Sequence, residues 1–185
     1  MLDIVIPTYT PNASLENMAM ECVKSYKGHG RIIVVEDGQE YSDKLRELAD
    51  VYIYDKKNVG FTKNVNRGWR YATAEWVAII SSDTYLVSGD LKDLCIKGKV
   101  TSPVVVNQDI PGLTGSFFVV HKDCPKYLIE TMRTFYSDTE YVERTKDIFQ
   151  KVDSVKFYHH IAQSVSVSGR AWQDEDHDVI EYKKL

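Results

Sequence analysis

Nothing in this sequence approaches the roughly 20 consecutive apolar residues that a membrane span requires. Its start, MLDIVIPTYT, also lacks the basic flank and small-residue cleavage site of a secretory signal. A cytoplasmic chain with no integral membrane segment is therefore expected. Cysteine is scarce: Cys22, Cys95 and Cys124 are far apart and form no C-x-x-C pair, which argues against a disulfide framework or a zinc knuckle. Positive charge is not in excess, with 23 Lys+Arg against 27 Asp+Glu and a formal net charge of -4. A nucleic-acid partner or an anionic membrane surface thus finds no electrostatic basis here. Internal repeats and low-complexity linkers are absent. The 185 residues, 43% of them apolar, are enough for one domain with a buried core and too few for two.

What is present is alternation. The run Leu2 to Pro7 (LDIVIP), rich in β-branched residues, reads as a buried strand. Asn12 or Ser14 then caps a helical pattern carrying Leu15, Met18, Cys22 and Val23. A second strand is expected over Arg31–Val35, a helix over Ser42–Ala49, a third strand over Val51–Tyr54, a helix from Phe61 to Thr73 and a fourth strand over Trp76–Ile80. Four strand-to-helix steps imply a largely parallel α/β sheet. Further on, Val100–Val106 and Ser116–Val120 read as strands around the turn-prone Asp109–Gly112, Pro125–Phe135 and Asp138–Gln150 as helices, and Val152–Tyr158 as a last strand. The tail after Ser168, with its acidic run Asp174–Asp178, is expected to be a mobile segment or a short terminal element.

Sheets of this kind bind ligands outside the carboxyl ends of their strands. Thr8, Glu36, Asp37, Asn58 and Asp83 each fall just after an apolar run, on that rim. Glu36-Asp37-Gly38 is also a plain turn sequence. Gly60 permits a tight turn before the helix at Phe61, whose first N–H groups favour an anion. Lys63 is a point charge in the first turn of that helix, while Arg67 and Arg70 fit a solvated helical face.

Taken together, these motifs resemble the inverting nucleotide-sugar glycosyltransferases of the GT-A fold, specifically family 2, from about Asp3 to Ser166. The sequence IVIPTY followed by VVEDG is similar to the family's first two strand ends. Asn58-Val59-Gly60-Phe61 with Asn66-Arg67-Gly68-Trp69-Arg70-Tyr71-Ala72 matches N-x-G-F-x(4)-N-x-G-x(2)-Y-A without a gap, as in rhamnosyltransferase-like members. The resemblance implies a Rossmann-like, three-layer α/β/α sandwich with a mostly parallel sheet. It implies one domain over residues 1–168, nucleotide-binding over about 1–88 and acceptor-side over about 89–168, with 169–185 as a tail or lid. It places the nucleotide on Pro7, Thr8, Tyr9, Glu36 or Asp37, Asn58, Gly60, Lys63, Ser82 and Asp83. Gly115, Ser116 and Glu140 would lie by the donor sugar and acceptor.

The same resemblance assigns chemistry. Asp83 in SSDT stands at the family's D-x-D, with Ser81 in place of the first acid, and is the expected ligand of Mn²⁺ or Mg²⁺. His159-His160, after the last strand, would complete the metal shell, and alternation along a strand lets only one of the two reach it. Ser137-Asp138-Thr139-Glu140-Tyr141-Val142-Glu143-Arg144 resembles EDxDLxxR without its leading Glu, making Asp138 the base that deprotonates an acceptor hydroxyl. Ser137 with Glu140 also reads as a capping box, and Glu140 with Arg144 as an i, i+4 pair. The implied partners are a nucleotide-diphosphate sugar and a glycan, glycolipid or protein acceptor, with the spacing hinting at a deoxythymidine donor. The rival is a descendant that binds nucleotide or glycan without turnover. A sugar-nucleotide pyrophosphorylase is disfavoured because no G-x-G-T-R-like loop follows the first strand.

Overall fold

The computed structural model describes residues 1–38, 42–108, 115–160 and 171–185. The apolar runs form β1 (Leu2–Thr8), β2 (Arg31–Asp37), β3 (Val51–Asp55) and β4 (Trp76–Ile80). They alternate with α1 (Ala13–Tyr26), α2 (Asp43–Leu48) and α3 (Phe61–Tyr71). Side-chain caps fix two helix starts: the Asn12 amide oxygen accepts the Leu15 N–H at 3.0 Å, and the Ser42 hydroxyl accepts that of Leu45 at 3.2 Å. Beyond β4 come β5 (Thr84–Ser88), a 3₁₀ turn (Leu91–Leu94), β6 (Val100–Val105) and β7 (Phe117–His121). They are followed by α4 (Ser137–Thr145), β8 (Phe149–His159) and α5 (Ala171–Tyr182).

One eight-stranded sheet runs in the order β3-β2-β1-β4-β7-β6-β8-β5. The first four strands are mutually parallel; β7 reverses direction against β4, β6 reverses again against β7, β8 is parallel to β6, and β5 closes the edge antiparallel to β8. Alternate residues of each inner strand point to opposite faces. Ile4, Ile6, Val34 and Ala78 pack with Ala19, Val23, Tyr26 and Leu45 of α1 and α2. Val5, Ile33, Val35 and Ile79 pack with Val65 and Trp69 of α3 and Tyr141 of α4. Both faces are covered, which is why these strands are continuously apolar, and the three expected layers are present. Helix α3 lies directly on β1 and β2: a Cβ on Gly68 would stand 2.4 Å from Val5 Cγ1 and 2.6 Å from Val35 Cγ2.

The second half departs from expectation in four places. Residues 125–135 are not a helix. Asn66 accepts the Leu128 N–H at 2.9 Å and donates to its carbonyl at 2.8 Å, and Tyr127 sits in the left-handed region at φ 68°. Backbone groups satisfied by a distant side chain have no need of i→i-4 partners. Helix α4 stops at Thr145, and the last strand begins three residues earlier than read, at Phe149. The capping box does not form: the N-cap is Tyr136, in the left-handed region at φ 59°, and the buried Ser137 hydroxyl has no hydrogen-bond partner among the described residues. Residues 171–182, by contrast, form α5, the short terminal element that was one of the two expectations for the tail. Strand β5 was missed altogether. The expected turn Asp109–Gly112 lies outside the described residues.

Candidate functional site

The polar residues at the carboxyl ends of the strands form a connected series of contacts. Glu36, fully buried at the end of β2, accepts hydrogen bonds from the Thr8 hydroxyl at 2.6 Å and from the Thr10 N–H and hydroxyl at 3.0 and 2.9 Å. Burial pushes this carboxyl above the ordinary range despite those donors. Its neighbour Asp37 accepts the N–H groups of Val59 at 2.7 Å and Gly60 at 2.9 Å. Burial raises it to about 6, the two backbone donors opposing only in part. The two acids thus brace two loops of the expected nucleotide site, Thr8–Thr10 and Asn58–Gly60. Tyr9 and Asn58 are half-buried within those loops, and Pro7 is buried in β1 opposite Val35.

Gly60 has φ 90°, which admits the turn into α3, and its Cα faces the carbonyl of Arg133 so closely that a Cβ would lie 3.0 Å from that oxygen. The Thr62 N–H donates to the same carbonyl at 3.0 Å. The start of α3 is therefore not the open set of donors its sequence implied, since one donor is taken by the main chain. Lys63 projects from an exposed position in the same turn. Arg67 pairs with Asp55 at 3.1 Å and Arg70 with Glu130 at 2.7 Å, the structural roles foreseen for a solvated face.

On the other side, Asp138 at the start of α4 accepts the Gly115 N–H at 3.0 Å and that of Thr139 at 2.9 Å. Next to Gly115, the Ser116 carbonyl accepts the Ser81 N–H at 2.8 Å. Two residues beyond Ser81, with Ser82 half-buried between them, the Asp83 carboxylate lies 3.4 Å from His159 Nε2. The His160 N–H donates to the Asp83 carbonyl at 2.8 Å, but the His160 ring packs against Tyr85 and Tyr158. Of the histidine pair, His159 is the one that meets the Asp83 carboxylate. Glu140 is held by Arg144 at 2.7 and 3.1 Å, the i, i+4 pair expected. Asp138, Asp83 and His159, far apart in the chain, are thus linked through Gly115, Ser116 and Ser81, while the Gly60 turn abuts Arg133, five residues before Asp138. Among the described residues no three His, Cys, Asp or Glu side chains group as a metal site. One oxygen and one nitrogen donor do converge, both largely shielded from solvent, and that mixed set suits Mn²⁺ better than Mg²⁺.

Sequence reasoning missed one buried acid. Asp178 of α5, fully buried, accepts the N–H groups of Arg133 and Thr134, both at 2.8 Å, and of Phe135 at 2.9 Å. It sits in the acidic run read as a mobile segment or a short terminal element, and no local signal distinguished it.

The model of the family described as Glycosyl transferase family 2 matches residues 3–106, just over half of the 185. The chain belongs to that family. It is 28% identical over 116 residues to an N-acetylglucosaminyltransferase of Azorhizobium caulinodans, a match covering 62% of this chain and 29% of that protein. It therefore spans less than a third of that relative's length. In fold it is similar to the mannosyltransferase PcManGT from Pyrobaculum calidifontis in complex with GDP-Man and Mn²⁺, with a TM-score of 0.67 and 15% identity over 91% of this chain and 59% of that one. It is likewise similar to residues 1–349 of S. aureus TarS in complex with UDP-GlcNAc, with a TM-score of 0.60 and 17% identity over 85% of this chain and 57% of that one. The architecture is that of the GT-A glycosyltransferases, with a curled mixed sheet. No helix among the described residues is long and apolar enough to cross a membrane.

Proposed function

We propose that this domain transfers a sugar from a nucleoside-diphosphate donor to an acceptor hydroxyl with inversion at the anomeric carbon. The observation that carries the reading is the pairing of two contacts on one rim: Asp138 on Gly115 at 3.0 Å and Asp83 on His159 at 3.4 Å, joined through Ser116 and Ser81. A general base and a cation-binding pair on opposite sides of a small-residue strand entry suit an in-line displacement. Asp138 takes the proton of the acceptor hydroxyl as its oxygen bonds to the anomeric carbon and the bond from that carbon to the diphosphate breaks. Asp83 and His159 would hold a divalent cation, Mn²⁺ by their donor set, which when bound supplies charge neutralisation for the departing diphosphate. Lys63 adds a mobile positive charge at the start of α3. Glu36 and Asp37 keep the Thr8–Thr10 and Asn58–Gly60 loops shaped for the nucleoside.

The N-acetylglucosaminyltransferase relative makes UDP-GlcNAc the first donor to test, ahead of a deoxythymidine donor. Release of nucleoside diphosphate is measured with and without Mn²⁺, alongside calorimetry of donor binding, for the wild type and Asp83→Ala. The expected result is Mn²⁺-stimulated release, with donor affinity in Mn²⁺ falling at least about tenfold in the variant. Donor binding without release favours the non-catalytic reading, for which Ser81 in place of an acid speaks. Absence of binding across uridine, guanosine and thymidine diphosphate sugars overturns the transferase reading and any nucleotide-binding descendant.

A further inference from the structure

Helix α5 places one carboxylate where four donors converge. Asp178 Oδ1 accepts from the Arg133 N–H and lies 2.8 Å from His177 Nδ1, while Oδ2 accepts from Thr134 and Phe135. Those contacts match the four lone-pair sites of an ionised carboxylate. Burial alone would raise this acid, but the Thr134, His177, Arg133 and Phe135 donors outweigh it and leave it below its ordinary range. A second fixture from α5 follows: Tyr182 stacks on Tyr136 with ring centroids 5.5 Å apart. Tyr136 is the left-handed residue that turns the chain into α4, two positions before Asp138. The gathered segment is also the one whose Arg133 carbonyl accepts the Thr62 N–H at the start of α3. Residues 133–138 therefore form a strut between the α3 start and Asp138, and α5 grips it from outside.

We propose that Asp178 is a positioning residue for Asp138: by gathering the N–H groups of residues 133–135 it fixes the strut, and with it the distance between Asp138 and the Gly115 N–H. Asp178 is not a ligand of substrate and acts through the main chain it holds. The role in turnover rests on the reading of Asp138 as base; the geometric role does not.

Two measurements on the full chain test this with Asp178→Asn, which keeps the shape and removes the charge and one acceptor. Hydrogen exchange by NMR reports position directly. Exchange at Arg133, Thr134 and Phe135 is expected to accelerate at least about tenfold, as is that at the remote Gly115 amide, while Ile4 and Ile33 in the parallel strands keep their protection. Released amides at 133–135 with an unchanged Gly115 overturn the proposal, because α5 would then be stapled without consequence for Asp138. If Asp178→Asn fails to fold, Asp178→Glu, which retains the charge on a longer stem, is judged by the same amides. For turnover, kcat is expected to fall about 10- to 100-fold with donor KM within about threefold, and the effect is expected to vanish in an Asp138→Asn background. The same factor in both backgrounds overturns coupling through Asp138. Failure of the base reading has a different signature: Asp138→Asn then turns over like the wild type, while Gly115 exchange still reports on Asp178.

Discussion

Acids in the two halves of the sheet do different work. In the parallel half, Asp3, Glu36 and Asp37 each tie separate stretches of chain together: Glu36 accepts three hydrogen bonds from Thr8 and Thr10, and Asp37 two from Val59 and Gly60. Asp3 takes a bidentate pair from Arg31, both contacts at 2.8 Å, and the N–H groups of Thr73 and Ala74 at 2.6 and 2.9 Å. In the half built on β5–β8, Asp83 faces a histidine, and among the described residues Asp138 accepts only backbone N–H groups at the mouth of a helix. The first set holds loops to strands. The second set is the one proposed to face a ligand. A carboxylate after a strand is thus ambiguous in sequence, and its donors decide whether it builds the rim or works on it.

Four substitutions sharpen or break that contrast. The largest effect is expected for Asp138→Asn: turnover should fall about 10²- to 10⁴-fold, or about 3–5 kcal/mol of barrier, with folding stability within about 1 kcal/mol of wild type. Wild-type turnover in that variant would move Asp138 to the structural set. Asp3→Ala should do the opposite. Losing the buried end of its ion pair and two backbone acceptors is expected to cost about 2–3 kcal/mol in denaturant unfolding, with turnover per folded molecule unchanged. Gly68→Ala should cost about 1–3 kcal/mol through overpacking of α3 on Val5 and Val35, again without effect on turnover.

The smallest effect is a pH dependence. Native Asp37 titrates near 6 against an ordinary 3.8, so between those values the folded chain keeps a proton that the unfolded chain has released. Stability from this group is therefore full below about pH 4, declines as pH rises to about 6 and is level above. Relative to wild type, Asp37→Asn should lack that decline in paired urea titrations from pH 4 to 7; identical slopes would exclude Asp37 as the source.

The same contrast explains what could be read from residues alone. Strands β1, β2 and β4 are covered on both faces, so their composition announced them, and α1 and α2 carried side-chain caps and ordinary spacing. The N-x-G-F and N-x-G motifs located Gly60 and Gly68 together with the helix between them. In the other half β8 is largely exposed, so its pattern carries little contrast, and β5 went unread although TYLVS is rich in strand formers. Residues 125–135 looked helical because their backbone partners, Asn66 and Asp178, are remote in sequence. The juxtaposition of Asp83 with His159 was expected through family resemblance, the contact of Asp138 with Gly115 was not read, and Asp178 had no motif to betray it.

The reversal of direction between β4 and β7 has a metric consequence. The ladder pairs Ile80 with Phe117, so the exit toward Asp83 and the entry from Gly115 leave the sheet at the same level. Slipping that ladder by one residue would shift one side along the other by about 3.3 Å and turn every β7 side chain over. Main-chain bonding between two buried strands therefore acts as a vernier for the gap proposed to take the sugar.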